Sequence, residues 1–566
     1  MTLTPSAHVD TFARDNLPPA EAWPVLEHTL PELQYPERLN AAEALLDQTI
    51  SRFGPHRIAL RADDGDVWTY GRLQQQANRI AQVLTEDYGI VPGNRVLLRI
   101  PNNPWAVAAW FAVVKAGAIV ITTMVAWRSS ELTKVAAKTR PDLVIADHRF
   151  TDDLTGAVES TVPILVLGGD DDVLIRAADQ KSGDFTAVQT AADDVALLGP
   201  TSGTTGVPKV TMHFHRDILA IADTFAQHIL HIQPDDVCAG SPPLAFTFGL
   251  GGLVIFPFRF GASSVLLERS GPVALADAID TYGVTVLYTA PTGYRAILKE
   301  GRADALRKLR IGVSAGEHLP KATFEAVEQQ SGVRLIDGIG ATEMLHVFIS
   351  AAGDDIRPGA TGRPVPGYRA TILDDDGHEV PAGALGRLAI IGPTGCRYLD
   401  DDRQADYVKN GWNLTGDTYR QDEDGYFVYG ARSDSMIVAA GYNIGAPEVE
   451  AAIDTHPDVA ESAVVGRPDP EKGAIVNAFV VLRPGVAADD AARESIQAHV
   501  RGRVATYKVP RRIDFLETLP RNPSGKLQHF ILRERIAAEL AAQVGSPAFF
   551  SRKGRIRSTG NTIVVA

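Results

Sequence analysis

The sequence predicts an α/β fold with largely parallel sheets, and three observations support this. From residue 66 onward, short apolar runs rich in β-branched residues alternate with segments whose apolar residues recur at helical spacing. The chain has 566 residues, of which 45% are hydrophobic, so it can bury several cores. No stretch approaches the roughly 18 apolar residues that a membrane span requires.

The first elements follow one another in order. A helix is predicted where apolar residues form one stripe, at Leu73, Ala77, Ile80, Ala81 and Leu84. Arg95 to Ile100 has the pattern of a strand, and Pro104 suits the first turn of a helix in PWAVAAWFAVVKAGA. The runs IVITT, DLVIAD and PILVLGG then predict further strands.

The chain changes character twice toward its C-terminal end. Between about Gly359 and Gly430, Gly, Pro and Asp interrupt short alternating segments, which predicts a barrel-like or meandering β unit. After ARSDSM the α/β pattern resumes on a smaller scale, so a boundary is predicted near Asp434. We therefore predict a large N-terminal domain at 1–433, a small C-terminal domain at 434–540 and a flexible tail at 541–566.

Charge and cysteine content argue against several functional classes. Acidic residues number 69 against 55 lysines and arginines, and a net charge of -14 argues against a general surface for nucleic acid or acidic membranes. Cys238 and Cys396 lie far apart, which indicates buried thiols rather than a disulfide framework or a zinc site. The start of the sequence lacks the order of a signal peptide, so a cytoplasmic protein is expected.

The densest chemical signal is the segment from Thr201 to Lys209, TSGTTGVPK. Its glycines let the backbone approach an anion closely, its hydroxyl and N–H groups can donate to that anion, and its lysine adds a positive charge. It is not a Walker A loop, because Pro208 precedes Lys209 and Val210 follows it. The segment predicts a loop that wraps phosphate oxygens.

Five further motifs follow in order: Gly340-Ala-Thr-Glu343, Thr415-Gly-Asp417, Tyr429-Gly-Ala-Arg432, Gly441-Tyr-Asn-Ile444 and Pro523-Ser-Gly-Lys526. With the TSGTTGVPK loop, they resemble the adenylate-forming superfamily of acyl-CoA synthetases, luciferases and peptide-synthetase adenylation domains, over roughly residues 60 to 540. The resemblance implies a large domain of two α/β sheet subdomains plus a distorted β-barrel, with a small mobile α+β domain. It also implies ATP, Mg²⁺ and coenzyme A as cofactors.

The same resemblance implies a role for each motif. Glu343 would coordinate Mg²⁺ through the phosphates, Thr342 would contact the α-phosphate, and Lys526 would bridge the substrate carboxylate and the α-phosphate. Asp434 would be the hinge about which the small domain rotates, bringing the Gly441 segment to the active site for the thiol step. The residues implied to bind nucleotide or coenzyme A are Thr201, Ser202, Gly203, Thr204, Thr205, Gly206, Lys209, Gly316, Glu317, Asp337, Gly338, Ile339, Asp417, Arg432 and Gly441.

Two segments resemble the benzoate-CoA ligase branch more specifically: AFTFGLGG at 245–252 and DGIGATEMLHVF at 337–348. Aromatic side chains beside glycines form flat apolar slots that suit a planar ring. The resemblance implies an acid pocket lined by Phe246, Thr247, Phe248, Gly340 and His346. Phe248 departs from the tyrosine of benzoate ligases, and SAHVDTFARDNLPP is similar to 2-aminobenzoate-CoA ligases, which favours 2-aminobenzoate, with salicylate next.

Other interpretations stay open at this stage. The chain could load a carrier protein instead of coenzyme A, activate benzoate or 4-hydroxybenzoate, or be a regulator that binds nucleotide without catalysis. His213 and His215 could form a metal site, although no acidic or cysteine ligands accompany them and packing would account for both rings. The expected partners are an aromatic acid, ATP and coenzyme A, without nucleic acid or membrane, and a homodimer is left open.

Overall fold

A computed structural model describes residues 3–201, 208–374, 376–432, 436–439, 442–469, 473–504, 506–521 and 527–544; for 431–432, 436, 438–439, 442–443, 473 and 541–544 it describes the backbone alone. The chain divides into two compact units, residues 1–430 and 431–566. Asp434, the predicted boundary residue, lies outside the described ranges. Within those ranges, no helix is long and apolar enough to cross a membrane.

Two sheets of mostly parallel strands dominate the first unit. The strands β1 (Ile58–Ala62) and β2 (Val67–Thr69) open one sheet, and the other contains β3 (Arg95–Arg99), β4 (Ile119–Thr122), β5 (Leu143–Asp147), β6 (Ile164–Leu167), β7 (Val195–Thr201) and β8 (Lys209–Phe214). The order of this second, six-stranded sheet is β6-β5-β3-β4-β7-β8, with β8 antiparallel to β7. All the strands predicted between residues 95 and 167 are confirmed.

The first sheet is completed by a later stretch of chain. Its remaining strands are β9 (Val237–Gly240), β10 (Ser263–Leu266), β11 (Val286–Thr289), β12 (Ile311–Ala315), β13 (Ile336–Gly340), β14 (Val347–Ser350) and β15 (Arg363–Pro364). They join β1 and β2 in the order β15-β14-β13-β12-β11-β9-β10-β1-β2. Strands β11, β12 and β13 run parallel, so their carboxyl ends meet at one edge of the sheet.

The predicted β unit is an antiparallel sheet formed by β16 (Arg369–Leu373), β17 (Leu385–Ile391), β18 (Val408–Lys409), β19 (Trp412–Gln421) and β20 (Phe427–Arg432). The second unit contains a hairpin, β21 (Met436–Ala439) and β22 (Tyr442–Gly445), and a three-stranded sheet, β23 (Val459–Asp469), β24 (Gly473–Leu482) and β25 (Arg512–Phe515). The predicted fold class, a large unit of sheets and helices with a small α+β unit, is confirmed.

Seventeen α-helices accompany these strands in the described part of the chain: α1 (Phe12–Asp15), α2 (Gln48–Phe53), α3 (Tyr70–Gln82), α4 (Pro104–Lys115), α5 (Ser129–Thr139), α6 (Leu174–Ala178), α7 (His215–Ile221), α8 (Thr247–Leu250), α9 (Phe256–Phe260), α10 (Pro272–Tyr282), α11 (Pro291–Lys299), α12 (Ala303–Leu306), α13 (Lys321–Ser331), α14 (Gln404–Tyr407), α15 (Ala446–Asp454), α16 (Asp490–Arg501) and α17 (His529–Val544). The stripe predicted on α3 is buried, and the side chain of Asn103 accepts a hydrogen bond from the Ala106 amide at the start of α4. A π-helical segment, Gly251–Ile255, joins α8 to α9.

The N-terminal segment reaches across the unit to the antiparallel sheet. Leu26 forms a parallel bridge with Gly392, and the Val25 amide donates to the Gly411 carbonyl at 2.9 Å. The side-chain amide of Gln404 donates to the Ala22 carbonyl at 2.9 Å. Residues 22–27 are therefore tied by backbone hydrogen bonds to a part of the chain that is distant in sequence.

Candidate functional site

The two ends of the predicted phosphate loop lie side by side. Thr201 ends β7 and Lys209 begins β8, and the two residues are register partners in the antiparallel pair. The two residues that flank the predicted phosphate loop are therefore neighbours at one end of this strand pair. Ser202, Gly203, Thr204, Thr205 and Gly206, which carry most of the predicted phosphate contacts, lie outside the described residues.

Thr342 and Glu343 follow β13 in a short 3₁₀ turn, Thr342–Met344. Thr342 packs against β7, since a Cβ added at Gly199 would lie 3.1 Å from its methyl group. Glu343 is half-buried, and its Oε1 accepts a hydrogen bond of 2.5 Å from the hydroxyl of Tyr398. The structure thus brings Thr342 and Glu343 to the end of β7 at which Thr201 stands.

Tyr398 also connects Glu343 to Lys209. The Lys209 ammonium donates to the Tyr398 hydroxyl at 3.2 Å and lies 4.9 Å from the centre of its ring. Tyr398 is a site residue that the sequence did not predict, because it lies in none of the six motifs and a tyrosine between an arginine and a leucine gives no chemical signal. The result is a cation, a hydroxyl and a carboxylate in one chain of hydrogen bonds beside the phosphate loop.

The residues predicted to surround the nucleotide base stand at the carboxyl ends of neighbouring parallel strands. Ala315 of β12 is the register partner of Gly338 in β13, so Gly316 and Glu317 leave the sheet beside Ile339. Gly316 has a φ of +86°, a backbone conformation that favours glycine. These segments come together because parallel strands end at the same edge of a sheet.

Aromatic rings cover this edge. The His318 ring stacks on Tyr429, with 4.7 Å between centroids, and Tyr429 meets Tyr419 edge to face at 5.4 Å. Burial raises the pKa of Asp337 to about 8, although hydrogen bonds from the Gly338 amide and Thr361 oppose that rise. Asp417 lies on β19, two residues before Tyr419. His318, Tyr419 and Tyr429 are therefore further candidates for contact with the nucleoside.

The predicted acid pocket is only partly brought together. His346 is 2% exposed and is surrounded by the rings of Phe225, Phe248 and Phe256, with centroid distances of 5.5, 5.8 and 4.5 Å. Within the described part of the chain neither nitrogen of His346 forms a well-aligned hydrogen bond, although the backbone of Phe248 lies near enough to the ring to oppose the lowering of its pKa. Phe246, by contrast, packs against a different apolar cluster, which surrounds β7 and β8.

Two glycines make room for the His346 ring and backbone. A Cβ added at Gly251 would lie 2.3 Å from the ring, and one added at Gly340 would lie 2.8 Å from the His346 carbonyl oxygen. Thr247 is half-buried at the start of α8. Burial lowers the pKa of His346 to about 3, so the imidazole is neutral at physiological pH. The pocket therefore offers one neutral polar ring among apolar ones.

His213 and His215 are buried, and each imidazole forms a hydrogen bond within the protein. The hydroxyl of Thr211 lies 3.1 Å from Nε2 of His213, and Nδ1 of His215 accepts from the Ala41 amide at 3.1 Å. Burial lowers their pKa values to about 4 and about 3. Among the described residues, one group of three or more acidic, histidine or cysteine side chains is close enough to hold a metal ion. It consists of the exposed Asp374, Asp376 and His378, and it does not include His213 or His215.

Comparisons with known proteins place this geometry in a family. Residues 46–397 match the AMP-binding enzyme family, and residues 448–526 match the AMP-binding enzyme C-terminal domain. The chain belongs to the AMP-binding enzyme family. It is 34% identical to benzoate–CoA ligase from Thauera aromatica over 520 residues, which cover 89% of this chain and 98% of that protein.

Solved structures of AMP-binding enzymes agree with this assignment. An anthranilate CoA ligase in complex with anthranoyl-AMP is similar with a TM-score of 0.84 and 33% identity, covering 91% of this chain and all of that one. A benzoate CoA ligase from Burkholderia xenovorans LB400 has a TM-score of 0.81 and 32% identity, covering 88% and all of that chain. The predicted superfamily, its benzoate-CoA ligase branch and the class of AMP-forming acid–CoA ligase are confirmed.

Several residues to which the AMP-binding enzyme resemblance gives roles cannot be located. Lys526, Asp434 and Gly441 lie outside the described residues, and Arg432 is described only as backbone at the end of β20. Cys238 and Cys396 are free and buried, as the sequence predicts. The roles of Lys526, Asp434, Gly441 and Arg432 stay predictions.

Proposed function

We propose that this chain is an ATP-dependent aryl acid:CoA ligase that prefers a benzoate with an ortho substituent. In the first step a carboxylate attacks the α-phosphorus of ATP, giving an acyl-AMP and pyrophosphate. In the second step the coenzyme A thiol attacks the acyl carbon, giving an aryl-CoA and AMP. The observation that carries the proposal is the buried His346, which lies among phenylalanine rings directly before β14.

The phosphate side of the site suits the first step. Thr201, Thr342 and Lys209 offer two hydroxyls and an ammonium to phosphate oxygens, and Lys526 would add a second ammonium at the reacting α-phosphate. The Glu343 carboxylate is a hard oxygen ligand beside these hydroxyls, a donor set that fits Mg²⁺. When bound there, Mg²⁺ would neutralise charge on the phosphates.

The ortho preference rests on what a neutral imidazole can do. It presents one N–H donor and one lone-pair acceptor, so it can pair with an amino or hydroxyl substituent on the ring. Phe248 would supply an apolar wall against which a planar ring can lie. A buried polar ring whose hydrogen bonds are incomplete favours a substrate that completes them, because an unmet hydrogen bond in an apolar site is costly.

The relatives support the aryl-CoA product over the other interpretations. One is a benzoate–CoA ligase, another is an anthranilate CoA ligase with anthranoyl-AMP bound. Transfer to a carrier protein and a preference for benzoate or 4-hydroxybenzoate are the alternatives that an assay of products would separate. The cytoplasmic location, the homodimer and the boundaries at 433 and 540 stay predictions.

The test is thioester formation with ATP, Mg²⁺ and coenzyme A across benzoate, 2-aminobenzoate, salicylate and 4-hydroxybenzoate. We expect the highest kcat/KM for an ortho-substituted acid, and loss of thioester formation from the free acid in Lys526→Ala. A highest kcat/KM for benzoate or 4-hydroxybenzoate would overturn the ortho preference. Failure to activate any aryl acid, with pyrophosphate exchange on aliphatic acids, would overturn the aryl assignment.

A further inference from the structure

The hydroxyl of Tyr398 accepts from one charged side chain and donates to another. It accepts from the Lys209 ammonium at 3.2 Å and donates to Oε1 of Glu343 at 2.5 Å. A carboxylate oxygen can only accept, so the Tyr398 hydroxyl donates its proton to Glu343 and accepts from Lys209 through its lone pair. The two charged groups are thereby fixed relative to each other through a single uncharged atom.

The backbone around Tyr398 explains how the hydroxyl is aimed. Residues 397–399 lie along β8: the Met212 amide donates to the Arg397 carbonyl at 2.7 Å, and the Leu399 amide donates to the Val210 carbonyl at 2.9 Å. Because side chains alternate along extended backbone, Arg397 and Leu399 point one way and Tyr398 points the other. Leu399 packs into the apolar cluster around β8, which leaves Tyr398 toward Lys209 and Glu343.

A buried ion pair anchors this segment. The guanidinium of Arg397 bonds Asp217, and both side chains are completely buried. The guanidinium also lies 4.0 Å from the centre of the Phe214 ring, and Asp217 accepts from the Phe214 amide at 2.9 Å. Arg397 is therefore held at both its backbone and its side chain, and Tyr398 is the next residue.

We propose that Tyr398 is a positioning residue for Glu343 and Lys209. Its bond to Oε1 fixes the Glu343 carboxylate that would hold Mg²⁺, and its hydroxyl fixes the Lys209 ammonium that would contact phosphate oxygens. The proposal rests on the proposed function, since it takes Glu343 as the carboxylate that meets Mg²⁺. Phenylalanine at 398 would keep the ring and its packing but would leave both charged groups free to turn.

The test compares Tyr398→Phe with a matched control, Tyr294→Phe. Tyr294 is also buried, and its hydroxyl donates to the carbonyls of Leu287 and Val313 in the core of the nine-stranded sheet. Both substitutions remove one buried hydroxyl, but only the first removes a contact with the phosphate side. For each variant we would measure three quantities. Calorimetry gives the ATP affinity with Mg²⁺ and with EDTA, and kinetics give the Mg²⁺ concentration for half-maximal rate and the kcat at saturating Mg²⁺.

For Tyr398→Phe we expect the half-saturating Mg²⁺ concentration to rise roughly tenfold or more, since hydrogen bonds to charged groups are among the stronger ones. The kcat at saturating Mg²⁺ should fall much less, and ATP affinity should weaken more with Mg²⁺ than with EDTA. In Tyr294→Phe the Mg²⁺ dependence should match that of the parent. An unchanged Mg²⁺ dependence in Tyr398→Phe, or an equal shift in Tyr294→Phe, would overturn the inference.

Glu343→Gln separates failure of this inference from failure of the proposed function. If Glu343→Gln loses Mg²⁺ dependence while Tyr398→Phe behaves as the parent, Tyr398 is no positioning residue and the role proposed for Glu343 stands. If Glu343→Gln titrates with Mg²⁺ as the parent does, the role of Glu343 is wrong and the inference falls with it. A melting temperature for each variant, measured without ligands, shows whether a change is merely structural.

Discussion

The phosphate side and the acid side of this site are held together by different interactions. On the phosphate side, Lys209, Tyr398 and Glu343 form a chain of hydrogen bonds that begins and ends on a charge. On the acid side, His346 is neutral and is held by packing among phenylalanine rings. Under the proposed function every acid would share the first set of contacts, whereas the second set would distinguish one acid from another. Changes on the phosphate side should therefore lower activity uniformly, and changes on the acid side should reorder the substrates.

The largest effect, on the free energy of unfolding, is expected from breaking the buried ion pair between Arg397 and Asp217. Arg397→Met leaves Asp217 buried without its partner, which should destabilise the first unit by about 3–5 kcal/mol. The double variant Arg397→Met, Asp217→Leu should recover most of that loss, because no buried charge remains. Thermal and urea unfolding of both variants and the parent measure this. A single variant as stable as the parent would contradict the importance of the pair.

Glu343→Gln should have the next largest effect. It keeps the shape of the side chain but removes the charge that is proposed to meet Mg²⁺, so kcat/KM should fall on the order of 10²-fold or more. The fall should be the same within about threefold for benzoate, 2-aminobenzoate and salicylate, since all share the phosphates. A change in the order of these acids would mean that Glu343 also contacts the ring.

His346→Phe tests the acid side with a ring of similar size and no polar atom. The kcat/KM ratio of 2-aminobenzoate to benzoate should fall roughly tenfold, because the ortho group loses its hydrogen-bond partner. Benzoate is the internal control, and its own kcat/KM should change little. An unchanged ratio would place the ortho substituent away from His346.

The smallest effect is on the pH dependence of stability. The pKa of His346 is lowered to about 3 from an ordinary value of 6.5, so below pH 6.5 the unfolded chain takes up a proton that the folded chain refuses. Its stabilising contribution is complete above pH 6.5 and decreases as the pH falls toward 3. Between pH 6.5 and 5.5 the parent should lose about 1 kcal/mol more than His346→Phe in urea unfolding. Equal losses would indicate that His346 titrates normally in the folded protein.

Much of the fold was predictable because helices and strands depend on the spacing of apolar residues within a short stretch of sequence. The stripe on α3, Pro104 at the start of α4 and the β-rich runs after it all became the elements expected. The same is true of the edge where β12 and β13 end, because parallel strands bring their carboxyl ends together. His346 was expected in the acid pocket, and it lies among aromatic rings beside Phe248.

Contacts between distant segments were not predictable in this way. Asp217 and Arg397 stand 180 positions apart, and neither residue type indicates a buried partner. The direction of the Tyr398 side chain depends on the pairing of its backbone with Thr211 of β8, a long-range contact that no local sequence pattern indicates. The resemblance places Phe246 and Phe248 in one pocket, and that assignment stays a prediction; the two rings pack against different apolar clusters, and α8 begins between them.

The N-terminal segment sets a minimum time for folding during synthesis. Leu26 pairs with Gly392, so the 366 residues from 27 to 392 must be translated before that bridge can form. At about 5–20 residues per second, the segment waits roughly 20–70 s after leaving the ribosome. During that time the peptide groups and apolar side chains of residues 22–27 are exposed, so a chaperone that binds nascent chains has its longest opportunity at this segment.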